Sequence, residues 1–309
     1  MIENNILSVV VLAAGKGTRM KSAKAKVLHE VFFKPMLHHV LDAVAPLHPK
    51  RNVVIVGHQE ERVRDSLLSY NIEIVSQKEQ LGTGHAVHIA ESAIPENDGL
   101  VLILCGDTPL ITTTSLKDMY DKHQTEKATL TLMTTILEEP TGYGRIISSA
   151  DAISAIVEEK EATAAQKKVK EVNAGIYLVE RAFLFEALAT VTPENSQGEF
   201  YLTDIVEYGV STGRKIRRCV NPEPMQVLGV NSKVELGAAH RQLQRKRNKQ
   251  LMQQGVTILN DDSVSVSSTA EIGVDTILSQ NIMVLGETVI GKSCIIESGS
   301  VLKDCNIGD

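Results

Sequence analysis

From Ile272 to Leu302 an aliphatic residue falls at every sixth position: Ile272, Leu278, Val284, Ile290, Ile296 and Leu302. A second aliphatic register runs beside it through Ile277, Met283, Val289, Ile295, Val301 and Ile307. Thr276, Thr288, Cys294 and Ser300 put small residues two positions ahead of the first register. Few folds satisfy such a period. A repeat of six predicts a parallel β-helix, in which each short strand turns an aliphatic side chain inward and neighbouring coils bury it. The pattern continues to Asn306-Ile307-Gly308-Asp309. An uncapped last coil leaves edge groups and apolar surface open, so the expectation is that a longer protein was cut here.

Upstream the pattern is different. Ile6–Val11 is an apolar, β-branched run, long enough for a buried strand and too short for a membrane span. Val27–Pro46 carries apolar residues at helical spacing, Val53–Gly57 reads as a strand, Glu60–Tyr70 as a helix and Ile72–Val75 as a third strand. Gln80–Ala86 is a glycine-rich turn opening a helix through Ala93. Leu100–Leu104 is continuously aliphatic, the mark of a central strand buried on both faces. This alternation predicts an α/β domain with a doubly wound, mostly parallel sheet and helices on both faces. Ala128–Ile136 and Val172–Val179 read as further strands, and Val227–Val230 as a last one ending at Asn231. Ser232 and Glu235 then form a capping box, opening a polar helix that Gly255 can close. Leu236, Leu243 and Leu251 keep one side of it apolar, so its basic residues, from Arg241 to Lys249, read as a solvated face of a connector. The expected domains are 1–231, a connector helix 232–255, and an incomplete β-helix 256–309.

The whole chain excludes several classes. Its net charge of −6 argues against nucleic-acid or membrane-surface binding, which needs a basic footprint. With no Trp and 4% aromatics it lacks base-stacking platforms. Cys105, Cys219, Cys294 and Cys305 fit neither a zinc site nor a disulfide framework, and read as cytosolic thiols. The N-terminus has no basic leader region, so the expectation is a cytoplasmic chain with no signal peptide and no membrane segment.

Chemistry concentrates in Leu12-Ala13-Ala14-Gly15-Lys16-Gly17-Thr18-Arg19-Met20. Glycines expose backbone N–H groups and the cations neutralise charge, a combination that suits phosphates. The spacing is neither the Walker pattern nor G-x-G-x-x-G, and by itself the segment is equally an ordinary strand-to-helix turn. Asp107 follows the aliphatic strand, where ligands gather in open α/β sheets, although a lone Asp there is also a helix cap. Asn231 precedes Ser232 and has the same alternative. Gln77 as a bare residue is a surface amide, and Glu158 a solvated acid. No Ser–His–Asp or Cys–His arrangement is seen.

Taken in order, the opening turn with Lys26, Gln77 with QLGTGHA, Gly106-Asp107, PTGYGRI, Gly198–Asp204 and Gly229-Val230-Asn231 resemble a bacterial family. It is the bifunctional N-acetylglucosamine-1-phosphate uridyltransferase/glucosamine-1-phosphate acetyltransferase family. The resemblance spans nearly the whole chain. It implies a Rossmann-like nucleotidyltransferase domain, a linking helix and the start of a left-handed β-helix that assembles as a homotrimer. It also implies a reaction: UTP and N-acetylglucosamine 1-phosphate give UDP-N-acetylglucosamine, for peptidoglycan and lipopolysaccharide synthesis, and pyrophosphate, with Mg²⁺. Such in-line transfer needs positioning and charge neutralisation rather than a protein nucleophile.

By this resemblance Asp107 and Asn231 are the Mg²⁺ ligands, hard oxygen donors suited to that ion. Arg19 and Lys26 hold the triphosphate and act in catalysis, with Lys16 close by. Leu12, Ala13, Ala14, Gly15, Gln77, Gly82 and Thr83 match the uridine-binding positions. Gly144, Glu158 and Asn173 match the sugar site; Gly106 is a further substrate-binding position, as is Cys105, which occupies a variable position near the sugar. Ala25 stands where a proline commonly precedes the lysine, and Ala174 where threonine is usual. The acetyltransferase site lies further along the β-helix, so acetyl-CoA chemistry is expected to be absent from this chain. Two alternatives stand beside this reading: a transferase for another sugar 1-phosphate with UTP or dTTP, and a non-catalytic sugar-nucleotide-binding protein.

Overall fold

The computed structural model describes residues 6–97, 99–149 and 152–309. The chain forms two compact units. One comprises Met1–His29 and Pro35–Asn231, the other Glu30–Lys34 and Ser232–Asp309.

The first unit is built on a sheet of β1 (Leu7–Ala13), β2 (Arg51–Val56), β3 (Glu73–Ser76), β4 (Leu100–Cys105), β5 (Leu130–Ile136), β6 (Arg145–Ser149), β7 (Ala152–Val157), β8 (Glu171–Glu180) and β9 (Ile216–Val220). Its path runs β9-β5-β8-β4-β1-β2-β3. Every strand on that path points one way except β8, which is antiparallel to both neighbours. Helices α1 (Met36–Val44), α2 (Glu60–Ser66), α3 (Thr83–His88), α4 (Thr113–Glu126), α5 (Arg181–Leu188), α6 (Asp204–Ser211) and the single turn α7 (Pro224–Val227) complete it.

Successive strand residues face opposite sides, and the aliphatic runs therefore feed two cores. Val9, Val11, Leu102 and Leu104 pack with Leu37 and Val40 of α1 and Leu116 of α4. Val10, Ile55, Val101 and Ile103 pack with Val87 of α3, Phe183 of α5 and Ile205 of α6. Each such fully buried side chain contributes about 1.5–3 kcal/mol. Helices thus cover both faces of a doubly wound, Rossmann-like sheet. The parallel register of β1 with β4 brings Leu12 opposite Cys105, so the loops leaving both strands emerge side by side.

Two local expectations are corrected. Val27–Pro46 is not one helix: a short 3-10 turn over Lys26–Leu28 and extended residues precede α1, which begins only at Met36, after Pro35. Proline pushes the residue before it out of helical backbone, which delays the start. Val227–Val230 is not a strand. Pro224 starts the helical turn α7, and the Val230 N–H donates to the Asp107 carbonyl at 2.8 Å instead of to a ladder. The final strand of the sheet is β9, whose Ile-Arg-Arg-Cys-Val sequence hides its alternation. The hairpin β6–β7 hangs on β8 through Arg145 and Val172.

The second unit begins with helix α8 (Lys233–Gln253). The Ser232 hydroxyl accepts from the Glu235 N–H at 3.2 Å, closing the capping box. Leu251 is buried, whereas Leu236 and Leu243 are only half-buried. Polar side chains do the rest: Asn248 Nδ2 donates to the Asp261 and Val264 carbonyls at 2.8 and 2.7 Å, and Gln244 Nε2 to Val264 at 2.9 Å. This helix, read from the sequence as a connector, falls in the same compact unit as the short strands after it. Those strands form three parallel ladders. Thr257–Ile258, Ile277–Leu278 and Ile295–Ile296 form one; Val264–Val266, Ile282–Leu285 and Val301–Lys303 another; Glu271–Ile272, Val289–Ile290 and Asn306–Ile307 the third. They are the start of a left-handed parallel β-helix.

Only the first aliphatic register points inward. Leu278, Val284, Ile290 and Ile296 are buried, while Met283, Val289, Ile295 and Val301 are exposed, Ile295 to 68%. Adjacent residues of a strand cannot share a face. Ile307 leaves the second register altogether and pairs with Ile290, Asn306 taking the outward place opposite Val289. Among the described residues, no helix is long and apolar enough to cross a membrane.

Candidate active site

Where β1 ends, the chain turns through Gly15 and Gly17. A Cβ on Gly17 would stand 2.5 Å from the Cβ of Lys26, and its φ of +61° lies in the left-handed region. Glycine is therefore required for Lys26 to pass behind the turn. The 3-10 turn Thr18–Met20 presents Arg19, and the turn Lys26–Leu28 presents Lys26.

These two cations meet two oxygens from distant segments. Lys26 Nζ forms an ion pair with the Asp107 carboxylate and donates to Asn231 Oδ1 at 2.5 Å. Arg19 Nη2 donates to the same Oδ1 at 2.9 Å. Asn231 Nδ2 donates to the Gly229 carbonyl at 2.9 Å, which aims the amide oxygen at the lysine. Neither acid nor amide serves as a helix cap. Thr112 caps α4, and Ser232 caps α8. A Cβ on Gly229 would lie 2.8 Å from Asp107 Oδ1, so this second glycine keeps the carboxylate in place.

Asp107 and Asn231 thus aim two hard oxygens at one cationic point, a donor set that fits a divalent ion of the magnesium class. Among the described residues no group of three His, Cys, Asp or Glu could hold a metal by itself. An ion held here would need its remaining positions filled by phosphate and water, as is usual for Mg²⁺.

A cleft of about 430 Å³ opens beside this cluster. Leu12, Ala13, Ala14, Gly15, Arg19, Lys26, Gln77, Gly82, Thr83, Cys105, Asp107 and Asn231 all line it. Lys16 is exposed and lies off the lining, and Gly106 lies beneath it, where a side chain would meet the Leu12 carbonyl at 3.1 Å. Gln77 is buried, not a surface amide; its Nε2 donates to the Gly82 carbonyl at 3.1 Å and lies 3.0 Å from His85 Nδ1. Thr83 accepts from the Leu202 N–H at 3.1 Å, pinning the second glycine turn. Gln80 and Glu199 also line the cleft, though only their motifs, not the residues, stood out in the sequence.

Gly144, Glu158 and Asn173 form a second cluster, separate from that lining. The Asn173 N–H donates to the Gly144 carbonyl at 2.9 Å, and a Cβ on Gly144 would stand 3.4 Å from Glu158 Oε1. Asn173 Nδ2 donates to Tyr177 Oη at 2.6 Å, across the irregularity in β8 between these two residues. Thr203 donates to Glu158 Oε1 at 3.4 Å. Thr203 and Tyr177 lie within segments the sequence singles out, Gly198–Asp204 and Val172–Val179, but as single residues their hydroxyls carry no periodic signal. Cys105 joins the two clusters: it lines the cleft, and its Sγ donates to the Gly175 carbonyl at 3.6 Å.

The electrostatics differ between the halves. Burial raises the Glu158 carboxyl above its ordinary value, Thr203 opposing and Asp204 adding to it. Burial, with Glu207 next, lifts Asp204 to about 6. Burial, then the Asp107 charge, pushes the Cys105 thiol up to about 12, so it is protonated and no nucleophile at neutral pH.

A family model described as Nucleotidyl transferase matches residues 8–223. The bifunctional protein GlmU of Desulfotalea psychrophila is 49% identical over 308 residues, covering 99% of this chain and 91% of the relative. That of Geotalea daltonii is 41% identical over 305 residues, covering 98% and 67%. A crystal structure from Bacillus anthracis, assigned as a glucose-1-phosphate thymidylyltransferase, superposes with a TM-score of 0.60 at 17% identity, covering 76% of this chain and 94% of its own, and shows the shared fold. With the family profile matching most of the first unit and these relatives aligned across both, the chain belongs to the nucleotidyl transferases, as a nucleotidyltransferase enzyme of the bifunctional GlmU family.

Proposed function

We propose that this chain transfers a uridylyl group from UTP to N-acetylglucosamine 1-phosphate, giving UDP-N-acetylglucosamine and pyrophosphate. The observation that carries the reading is the meeting of Lys26, Arg19, Asp107 and Asn231 at the mouth of a cleft with a glycine-rich wall.

A phosphate oxygen of the sugar phosphate attacks the α-phosphorus of UTP in line, and pyrophosphate leaves. The new P–O bond replaces the one to the leaving group, so no protein nucleophile is needed. Arg19 and Lys26 hold the triphosphate and offset charge on the transferring and leaving oxygens. Mg²⁺, held by Asp107 and Asn231, would supply further neutralisation of the phosphate charge. Gln77 both donates and accepts, which suits a uracil edge, and the backbone around Ala14 and Gly15 can approach the nucleoside closely. Glu158 and Asn173 hydrogen-bond sugar hydroxyls and the acetamido group beside Gly144. The outward aliphatics Met283, Val289, Ile295 and Val301 support association of three copies through the β-helix, since exposed apolar patches mark interaction surfaces. With the cysteines free, a cytoplasmic setting fits the same reading.

The test is pyrophosphate release from UTP with N-acetylglucosamine 1-phosphate, with and without Mg²⁺, against glucosamine 1-phosphate and glucose 1-phosphate, and dTTP against UTP. Fast metal-dependent release with the acetylated sugar and UTP is expected. Faster turnover with glucose 1-phosphate or dTTP would overturn the substrate assignment.

A further inference from the structure

Arg145 is 1% exposed, and the reaction above gives it no task. Its Nη2 donates to Glu159 Oε2 at 2.5 Å, and its Nη1 donates to the Tyr143 carbonyl. The same Glu159 Oε2 accepts from the Gly142 N–H at 3.1 Å. One carboxylate oxygen therefore ties together both ends of the turn from Gly142 to Arg145. Lys167 Nζ stands 3.7 Å from the other oxygen. The Gly142 N–H and then the Arg145 guanidinium hold the carboxyl below its ordinary range, so Glu159 is ionised at neutral pH.

Gly144 sits inside this tie. Its carbonyl accepts from Asn173, and a Cβ there would meet Ile156 Cγ2 at 3.0 Å and Glu158 Oε1 at 3.4 Å, so the turn packs directly against the residue immediately before Glu159. The chain Glu158-Glu159 thus sends one carboxylate to the sugar cluster and the next to the turn that walls it. A turn with glycines at 142 and 144 has little intrinsic preference for one shape, so a ligand would otherwise have to order it. The guanidinium fork holds two partners at fixed geometry, which a lysine could not.

We propose that Glu159, acting through Arg145, is a positioning and specificity residue for the sugar phosphate: it fixes the turn that holds Gly144 against Glu158 and Asn173, and so sets where those groups meet the sugar. This rests on the sugar-1-phosphate reading. It involves none of the residues lining the nucleotide cleft. Loss of the tie should appear in the KM of one substrate only.

The experiment compares wild type, Glu159→Gln, and the double variant Arg145→Met with Glu159→Leu. The double variant removes the buried charge together with its partner, so it folds even where the single change does not. Both are expected to raise KM for N-acetylglucosamine 1-phosphate about tenfold, with kcat and KM for UTP changed less than about twofold. A purely structural pair predicts the opposite: lower melting temperatures, with the double variant regaining the wild-type sugar KM. A folded double variant with wild-type sugar KM, or equal loss for both substrates, would overturn the assignment of Glu159. Wild-type protein that turns over no sugar phosphate would overturn the reaction itself, a result seen before any variant is made.

Discussion

Lys26 Nζ donates to Asn231 Oδ1 at 2.5 Å, although 205 positions separate the two residues in the chain. The same ammonium pairs with Asp107, so one cation stands among the oxygens expected to face a metal and phosphates. A cation in such a place supports charge that develops during transfer.

Lys26→Met is expected to lower kcat/KM about 10²-fold, the usual effect of removing one pre-arranged charge partner. Steady-state pyrophosphate release measures it. An unchanged value would mean that Arg19 alone carries the phosphate charge.

Asp107→Ala removes one of the two converging oxygens. Turnover is expected to fall by about 10²–10³-fold and to recover little at high Mg²⁺. A Mg²⁺ titration of the variant is the check, and near-normal rate at saturation would refute metal ligation by Asp107.

Gly229→Ala tests the same carboxylate without touching it. The added methyl would stand 2.8 Å from Asp107 Oδ1, so the acid must move. The variant is expected to stay folded, with its half-saturating Mg²⁺ concentration raised severalfold. Equal Mg²⁺ dependence would show that the carboxylate position is not critical.

His123 supplies a pH dependence of stability. It is 3% exposed, its Nδ1 lies 2.8 Å from Thr131 Oγ1, and burial lowers its pKa to about 4. Above about pH 6.5 the imidazole is neutral in both states, and stability is full. Between there and pH 4 the unfolded chain takes up a proton that the folded one refuses, so stability falls as pH falls. About 2–3 kcal/mol should be lost across that window. Denaturant melts at pH 7 and pH 4.5 measure the slope, which His123→Gln should flatten.

The β-helix gives the last prediction. Ile295 and Val301 are 68% and 64% exposed. If three copies associate through these faces, Ile295→Asp with Val301→Asp yields monomers in light scattering while the melting temperature of the first unit is retained. A wild-type monomer would remove the trimer from the picture.

Much of this was legible in one dimension because it is periodic. Six-residue spacing forecasts a β-helix, since each short strand buries one aliphatic side chain and must repeat to do so. The continuous run Leu100–Leu104 forecasts a strand covered on both faces, and Gly15 and Gly17 mark a backbone that must turn tightly. Other features have no local signal. Which aliphatic register points inward is decided by strand pleating and pairing, and Ile307 changes register only because it must meet Ile290. The helix α1 starts late, and Val227–Val230 forms no strand, because proline and a single bond to Asp107 override local preference. Composition and spacing cannot make a site of Lys26, Asp107 and Asn231. They are remote in the chain, and only the parallel sheet, by ending β1 and β4 side by side, gathers their loops at one edge. The same holds for Arg145 and Glu159, whose charges carry no periodic signal and which tertiary packing joins into one pair around a buried guanidinium.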